Sequence, residues 1–351
     1  SINFQGAPSD NFLIKKMTNT MVHRGPDDSG FFCDDYVSFG FRRLSIIDLA
    51  GGHQPIANED NTVYVMCNGE IYNYLDLRNE LLRLGHSFKT NSDTEVIVHA
   101  YDEWKEKCVD KFIGMFAFAI YDKRAKKVIL GRDRLGKKPL YYSLLGSEVV
   151  FASEMKAILA HPHFDRTPSL TAISSYLTFR YPQWNQPVFA NMKRLPPGHL
   201  MILTKGNIKI KKYWEIPFVA HKNDLGEKYY LEKIGEHLTR AVKRRMISDV
   251  PVGAYLSGGL DSSIIVALMS KLGNNPPETF SIGFPEDSYS ELPYAEEVAR
   301  HCGANHHALM LTKENYADML ISTIKIKDAP LSIPHEIALY QMSLELKKYV
   351  T

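Results

Sequence analysis

The sequence has only four cysteines, Cys33, Cys67, Cys108 and Cys302, and no two of them share C-x-x-C spacing. That argues against a zinc ribbon or a disulfide framework and fits a reducing, cytoplasmic setting. No apolar run approaches the roughly 20 residues of a membrane-spanning helix, so no membrane partner is expected. Charge of one sign is lacking too. With 42 basic against 40 acidic side chains, there is no footprint for nucleic acid. A local basic run, Lys209-Ile-Lys-Lys212, alternates with isoleucine and reads as the solvated face of a strand. Solenoid repeats and low-complexity segments are absent. What remains, 44% hydrophobic and 23% charged over 351 residues, is an ordinary globular composition with length for two domains.

The two halves follow different patterns. Up to about residue 212 the chain is β-rich, with strands expected over 36–41, 62–67, 115–121, 127–131, 140–144 and 149–152. Helices are expected over 74–84, where Leu77, Leu81 and Leu84 share a face, and over 94–104. Segregated strands and helices imply an α+β layered domain. Breaks fall at Pro196-Pro197-Gly198 and across 217–226. From residue 228 onward, helix 230–246 leads into strand 252–256, helix 263–272, strand 279–284, helix 294–301, strand 306–310 and helix 314–325. Such alternation predicts an α/β doubly wound parallel sheet, with its ligand at the carboxyl ends of the strands.

Leu256-Ser-Gly-Gly-Leu-Asp-Ser262 lies at such an end. Gly258 and Gly259 let the backbone turn sharply and present N–H groups to an anion, and the following helix adds its partial positive charge. Ser262 or Ser263 is placed to cap that helix. Asp261 is placed to hold Mg²⁺ beside bound phosphates. No G-K-[ST] follows, so this is not a P-loop. It resembles the loop of ATP pyrophosphatases, which cut ATP to AMP and pyrophosphate while adenylating a substrate.

Four stretches of the first half are richer in charge and amide than packing requires: His23-Arg-Gly-Pro-Asp-Asp-Ser-Gly30, Phe41-Arg-Arg-Leu-Ser-Ile-Ile-Asp48, Cys67-Asn-Gly-Glu-Ile-Tyr-Asn73 and Ser92-Asp-Thr-Glu95. An amino-acid ligand needs a guanidinium for its carboxylate and acidic groups for its ammonium. Arg43, Glu70 and Asp93 can supply them, with Asn68 and Gly69 as hydrogen-bonding groups. Two further signals are weak. His161-Pro-His163 and His306-His307 lack an acidic partner at ligand spacing. Gly131-Arg-Asp-Arg-Leu-Gly136 with Lys137 and Lys138 reads as a tight turn with solvated charges.

With R-R-L-S-I-I-D, N-G-E-I-Y-N, S-D-T-E, G-R-D-R-L-G-K-K-P-L-Y-Y and Y-L-S-G-G-L-D-S in this order, the chain resembles the glutamine-hydrolysing asparagine synthetases over essentially its whole length. The resemblance implies a class II glutaminase domain of N-terminal-nucleophile type over 1–212, a linker over 213–227, and an ATP-pyrophosphatase domain over 228–351. It implies a glutamine pocket lined by Arg43, Leu44, Ser45, Ile46, Ile47, Asn68, Gly69, Glu70 and Asp93. In that pocket Arg43 meets the α-carboxylate, Asp93 and Glu70 the α-amine, and Asn68 and Gly69 the oxyanion. For ATP it implies Leu256 and Ile282 at the nucleotide, and Ser257, Gly258, Gly259, Asp261 and Ser262 at the pyrophosphate, with Mg²⁺. Substrates would be glutamine, aspartate and ATP, with a β-aspartyl-AMP intermediate, and the resemblance leaves room for a homodimer.

The family's nucleophile is an N-terminal cysteine that uses its own α-amine as base. It is expected ahead of Ser1, and Ser1 is not that residue. Cys33 and Cys67 are expected to be structural. The resemblance also implies that a second ATP loop follows Thr351, so this chain alone would be inactive in both half-reactions. Two other functions share the motifs: the same chemistry on a sugar acid or a lactam-forming substrate, and a non-catalytic glutamine or nucleotide sensor.

Overall fold

The computed structural model describes residues 1–3, 10–182, 186–218, 223–285 and 290–351. Contacts divide the chain into two compact units, Ser1–Pro217 and Phe218–Thr351. Of the expected linker 213–227, residues 219–222 lie outside the described residues.

In the first unit the strands are β1 (Ile2–Asn3), β2 (Asp28–Cys33), β3 (Ser38–Arg43), β4 (Ile56–Ala57), β5 (Val63–Ile71), β6 (Gly114–Asp122), β7 (Lys127–Arg132), β8 (Tyr141–Leu145), β9 (Glu148–Ala152), β10 (Lys193–Arg194), β11 (His199–Thr204) and β12 (Asn207–Lys212). The helices are α1 (Asn11–Asn19), α2 (Tyr74–Arg83), α3 (Glu95–Trp104), α4 (Cys108–Lys111), α5 (Met155–Leu159) and α6 (Leu170–Phe179). Six strands form one sheet in the order β12-β11-β7-β6-β5-β4. Four form a second, β1-β9-β8-β10, and β2 and β3 pair as a hairpin. β12 is exposed along its whole length, so its lysine face is solvated as expected, but Ile208 and Ile210 are exposed as well.

β6 shows why the sheets stack. Its Ala117, Ala119 and Tyr121 join Met66, Tyr142 and Val149 in a core between the two sheets. Strand alternation turns Phe116, Phe118 and Ile120 the other way. There Phe116 stacks on Phe118 at 5.5 Å, and Phe112, just past α4, meets Phe118 edge-on at 6.3 Å. α3 packs on β5 and β4 of the same sheet, while α5 packs on β8 and β9 and α1 on α5. The result is an α/β/β/α sandwich, the layered fold expected. Phe118→Ala should cost about 3–5 kcal/mol, because Gly131 opposite carries no side chain to fill the cavity. Indeed, a Cβ at Gly131 would lie 2.2 Å from the Phe118 ring. A urea denaturation midpoint near that of the parent would count against this packing.

The second unit runs α7 (Glu227–Arg245), β13 (Gly253–Tyr255), α8 (Leu260–Leu272), β14 (Glu278–Gly283), α9 (Leu292–Cys302), β15 (Asn305–Met310), α10 (Lys313–Lys327) and α11 (His335–Leu346). Its three strands are parallel in the order β13-β14-β15. Leu256 and Ala254 pack with Val266 of α8 and Ala295 and Ala299 of α9. Phe280 and Ile282 pack with Met342 and Leu346 of α11. Tyr255 pairs with Phe280 in the ladder, and its hydroxyl meets the Ser343 hydroxyl of α11 at 2.9 Å. Helices therefore cover both faces, as a doubly wound sheet requires. No described helix is long and apolar enough to cross a membrane.

Candidate functional site

β5 runs four residues beyond the expected 62–67, so Asn68, Gly69 and Glu70 are strand residues paired with Ala117, Phe116 and Met115 of β6. Only glycine fits at position 69. Its φ is +150°, and a Cβ there would stand 2.0 Å from the Met115 carbonyl oxygen. Past Val65, β4 no longer pairs with β5, which leaves one edge of the strand open. On that edge the Cys67 N–H donates to Gln54 Oε1 at 2.7 Å, and the Ile71 N–H donates to Asp93 Oδ2 at 2.8 Å. Alternation aims the Gly69 N–H the same way, between those two. An N–H so placed is suited to an oxyanion.

Side-chain hydrogen bonds join the other predicted residues to this edge. Arg43 is buried, and its Nη2 donates to the Ile47 and Asp48 carbonyls at 2.9 and 2.7 Å. Asp48 Oδ2 accepts from the Asn91 N–H at 2.8 Å, next to Ser92-Asp93-Thr94. Gln54 Nε2 donates to the Thr94 hydroxyl at 3.3 Å. Arg43, the 44–48 loop, β5 and Asp93 are thus parts of one hydrogen-bonded assembly, while Leu44 is exposed. Arg43 braces the loop carbonyls in this arrangement.

Burial pushes the Asp93 carboxyl up to about 6, and the charge of Glu70 adds to that rise. The buried Asp93 carboxyl near the half-buried Glu70 suits an ammonium ion, which relieves the repulsion between them. The sign of the pH effect follows. Asp93 binds a proton in the folded state at pH values where the unfolded chain has released it, so burial costs stability progressively as pH rises from about 4 to 6. An ammonium ligand needs the ionised form. An amino acid whose ammonium sits there should therefore bind more tightly between pH 5 and 7, with a midpoint near 6. Asp93→Asn should weaken binding and flatten that profile. Calorimetric titration of glutamine across this range checks it, and a flat profile for the parent chain would contradict the assignment.

Sequence reasoning missed several partners. Asn68 Nδ2 donates to the Ser153 hydroxyl at 3.1 Å, just past β9 of the second sheet. Next to it, Glu154 is paired with His23 at 3.0 Å and Arg24 at 3.1 Å, which gives the His23-Arg-Gly-Pro stretch a structural anchor. Burial lowers the Lys138 ammonium, the nearby Arg24 charge lowers it further, and the carboxylate of Glu70 opposes both. The turn at 131–138 is tight, as expected, and Lys137 is exposed, but not all of its charges are solvated. Arg132 and Asp133 are buried. Arg132 donates to the Lys138, Leu195 and Gly136 carbonyls, and Asp133 accepts from the Lys137 and Lys138 N–H groups at 2.9 Å. A buried guanidinium with three carbonyl partners sets the loop's shape.

In the second unit the loop 256–259 joins β13 to α8. Gly258 has φ +77°, and a Cβ would fall 2.5 Å from Tyr294 Cβ and 2.7 Å from the Ala295 nitrogen. α8 starts at Leu260 with Gly259 as its N-cap, so neither Ser262 nor Ser263 caps it. Both sit in the first turn and donate to the Gly259 carbonyl, at 3.1 and 2.8 Å. The Ser257 N–H donates to the Ser262 hydroxyl, which closes the loop on itself at 3.2 Å. Asp261 lies exposed on the same turn. Leu256 is buried under α8 and α9, whereas Ile282 is half-buried on the α11 face at the end of β14. The loop brings Ser257, Gly258, Gly259, Asp261 and Ser262 together, but not the side chains of Leu256 and Ile282.

The glutamine amidotransferase domain family matches residues 3–214, and the asparagine synthase family matches residues 233–351. A putative glutamine-hydrolysing asparagine synthetase of Methanocaldococcus jannaschii is 35% identical over 96% of this chain and 69% of its own length. The chain belongs to the glutamine-hydrolysing asparagine synthetase family. Asparagine synthetases 1 and 3 of Bacillus subtilis are 39% and 36% identical over 97% and 95% of this chain. The chain covers 53% and 57% of those proteins, about half the length of the curated relatives it matches. Among solved structures, a glutamine PRPP amidotransferase of B. subtilis covers 86% of the chain at a TM-score of 0.43 and 15% identity, too loose a likeness to build on.

For this asparagine synthetase family member, the two buried cysteines, Cys67 and Cys108, are poor nucleophiles. Cys67 adjoins Asn68, but burial raises its thiol well above the usual range, and the charge of Asp93 raises it further. Cys108 is raised by burial as well. The histidine pairs do have acidic partners, supplied from distant sequence: His161 meets Glu148 at 3.3 Å and His307 meets Glu278 at 2.7 Å. These are pairwise ion contacts, not ligand clusters.

Proposed function

We propose that the first unit binds and hydrolyses glutamine and that the second binds Mg·ATP to activate a carboxylate, the β-carboxylate of aspartate, for amidation. The observation that carries the first half is the open edge of β5, where the Gly69 N–H lies between two N–H groups already held by Gln54 and Asp93. A tetrahedral adduct seated there would place its oxyanion on Gly69 and on the Asn68 amide, and its ammonium at Glu70 and Asp93. Arg43, buried behind the 44–48 loop, holds that wall in place and offers its guanidinium as partner for the α-carboxylate. The hydrolysis runs through a cysteinyl thioester, a role that the buried thiols of Cys67 and Cys108 do not fit.

In the second unit the loop supplies backbone N–H groups, the Ser257 and Ser262 hydroxyls and the amino end of α8. That donor set fits a pyrophosphate. Asp261, exposed on the first turn, fits Mg²⁺, which when bound neutralises phosphate charge and favours pyrophosphate as the leaving group. Ile282 and the backbone at Leu256 border the nucleotide. Ammonia produced in the first unit displaces AMP from the acyl adenylate to give the amide.

The experiment is glutamine hydrolysis by the complete reading frame, parent against Asn68→Ala. Loss of about 10²- to 10³-fold in kcat with a smaller change in KM supports the oxyanion role. Unchanged kcat would contradict it.

A further inference from the structure

Three side chains that neither candidate site uses converge in the first unit. Glu59 comes from the turn between β4 and β5, His86 from the loop after α2, and His99 from the second turn of α3. One ligand-capable atom of each lies within 4.8 Å of the other two. His86 Nδ1 faces Glu59 Oε1 at 3.2 Å, and His99 Nδ1 faces Glu59 Oε2 at 3.3 Å. Ligand atoms about 2.0–2.2 Å from a tetrahedral zinc stand roughly 3.3–3.6 Å apart, and each imidazole already stands near that spacing from one of the two carboxylate oxygens of Glu59.

A second observation points to the same place. The His99 side chain is 1% exposed, yet its Nδ1 makes no hydrogen bond. Buried polar atoms are rarely left unsatisfied, and one aimed at a neighbouring carboxylate and imidazole calls for an occupant. The far nitrogens are engaged as well. His99 Nε2 faces Glu95 Oε1 at 3.4 Å, and His86 Nε2 faces Glu103 Oε2 at 3.5 Å. Glu95 is itself held by the Lys89 and Thr90 N–H groups at 2.8 Å each. A carboxylate behind each imidazole orients the ring and raises its basicity, the arrangement found around histidine ligands of metals.

We propose that Glu59, His86 and His99 form a binding site for a divalent cation of zinc type. Two imidazoles and one carboxylate disfavour Mg²⁺ and Ca²⁺, which take oxygen ligands. Glu59 lies at the surface, so water completes the coordination from that side. The ion would tie the 58–62 turn, the loop after α2 and α3 together. α3 begins two residues after Asp93, so the ion braces the segment that carries the buried acid.

The test is titration of the chelator-stripped chain with Zn²⁺ against a chromophoric chelator, with Mg²⁺ in excess. One equivalent should bind at roughly micromolar affinity or tighter, and Co²⁺ should give visible d–d bands. At about a hundredfold excess over Kd, Zn²⁺ should raise Tm by several degrees. His86→Gln can still hydrogen-bond Glu59, and it should lose at least about tenfold in affinity while keeping the metal-free Tm. Glu95→Gln, a positioning change, should lose about 10- to 100-fold. If His86→Gln fails to fold, Glu59→Gln at its exposed position carries the same comparison. Absence of saturable binding overturns the proposal. So does full affinity in the variants, which would move the ion to pairs such as His161–Glu148.

Discussion

Gly258→Ala is expected to remove aspartate-dependent pyrophosphate release from the complete reading frame, by about 10²-fold or more. Two effects act together. A side chain in the left-handed region costs roughly 1–2 kcal/mol. The added Cβ would also stand 2.5 Å from Tyr294 Cβ and 2.7 Å from the Ala295 nitrogen, so the loop or the start of α9 must move. Either shift re-aims the N–H groups of the loop, and displacement by about 1 Å at a phosphate can cost 10²-fold. α8 and the packing of its Val266 on Leu256 and Ala299 should survive, so the circular dichroism spectrum should stay close to the parent's. Gly259→Ala is the contrast. Gly259 has no positive φ, and the nearest atom to its Cβ is the Ser257 hydroxyl at 3.3 Å. Its loss should be smaller. Equal losses at the two positions would mean that backbone geometry at 258 is not the cause.

Gly69→Ala should be as damaging to the first half-reaction. The new Cβ would meet the Met115 carbonyl oxygen at 2.0 Å and Phe116 Cα at 2.7 Å. Those are backbone atoms of β6, so no side chain can swing aside. β5 must peel away from β6 there, and the N–H between the Gln54 and Asp93 contacts turns with it. Glutamine hydrolysis should fall at least about 10²-fold, the scale of removing one oxyanion donor. Tm should also fall by several degrees, because the β5–β6 ladder is disturbed. A variant with parental kcat would show that the Gly69 N–H takes no part.

Much of this was legible in the sequence because its signals were local. Apolar runs separated by turn residues marked β6 to β9, and the change to alternating strands and helices marked the second unit. The glycines of the loop and the charged residues at 43, 70 and 93 announced themselves by residue type. The missing parts depended on distant partners. β2 lies inside a stretch whose charges drew attention to chemistry, and only its pairing with β3 reveals it as a strand. β5 passes through Asn68-Gly69-Glu70, a turn-like triplet that stays extended because β6 takes it up. Gln54, Ser153 and Glu154 sit in unremarkable sequence and acquire roles from residues 13 to 131 positions away. Arg132 and Asp133 were misjudged as solvated for the same reason. Arg132 is buried by carbonyls of its own loop and of Leu195, which spacing along the chain does not show.

The measurement closest to the central claim is pyrophosphate release by the complete reading frame with glutamine and Mg·ATP, with and without L-aspartate. Release that requires aspartate and equals the asparagine formed is the expected result. Glutamine hydrolysis with pyrophosphate release indifferent to aspartate would contradict the assigned acceptor. Neither activity, from protein of verified intact mass, would contradict the two-site enzyme and leave a sensor.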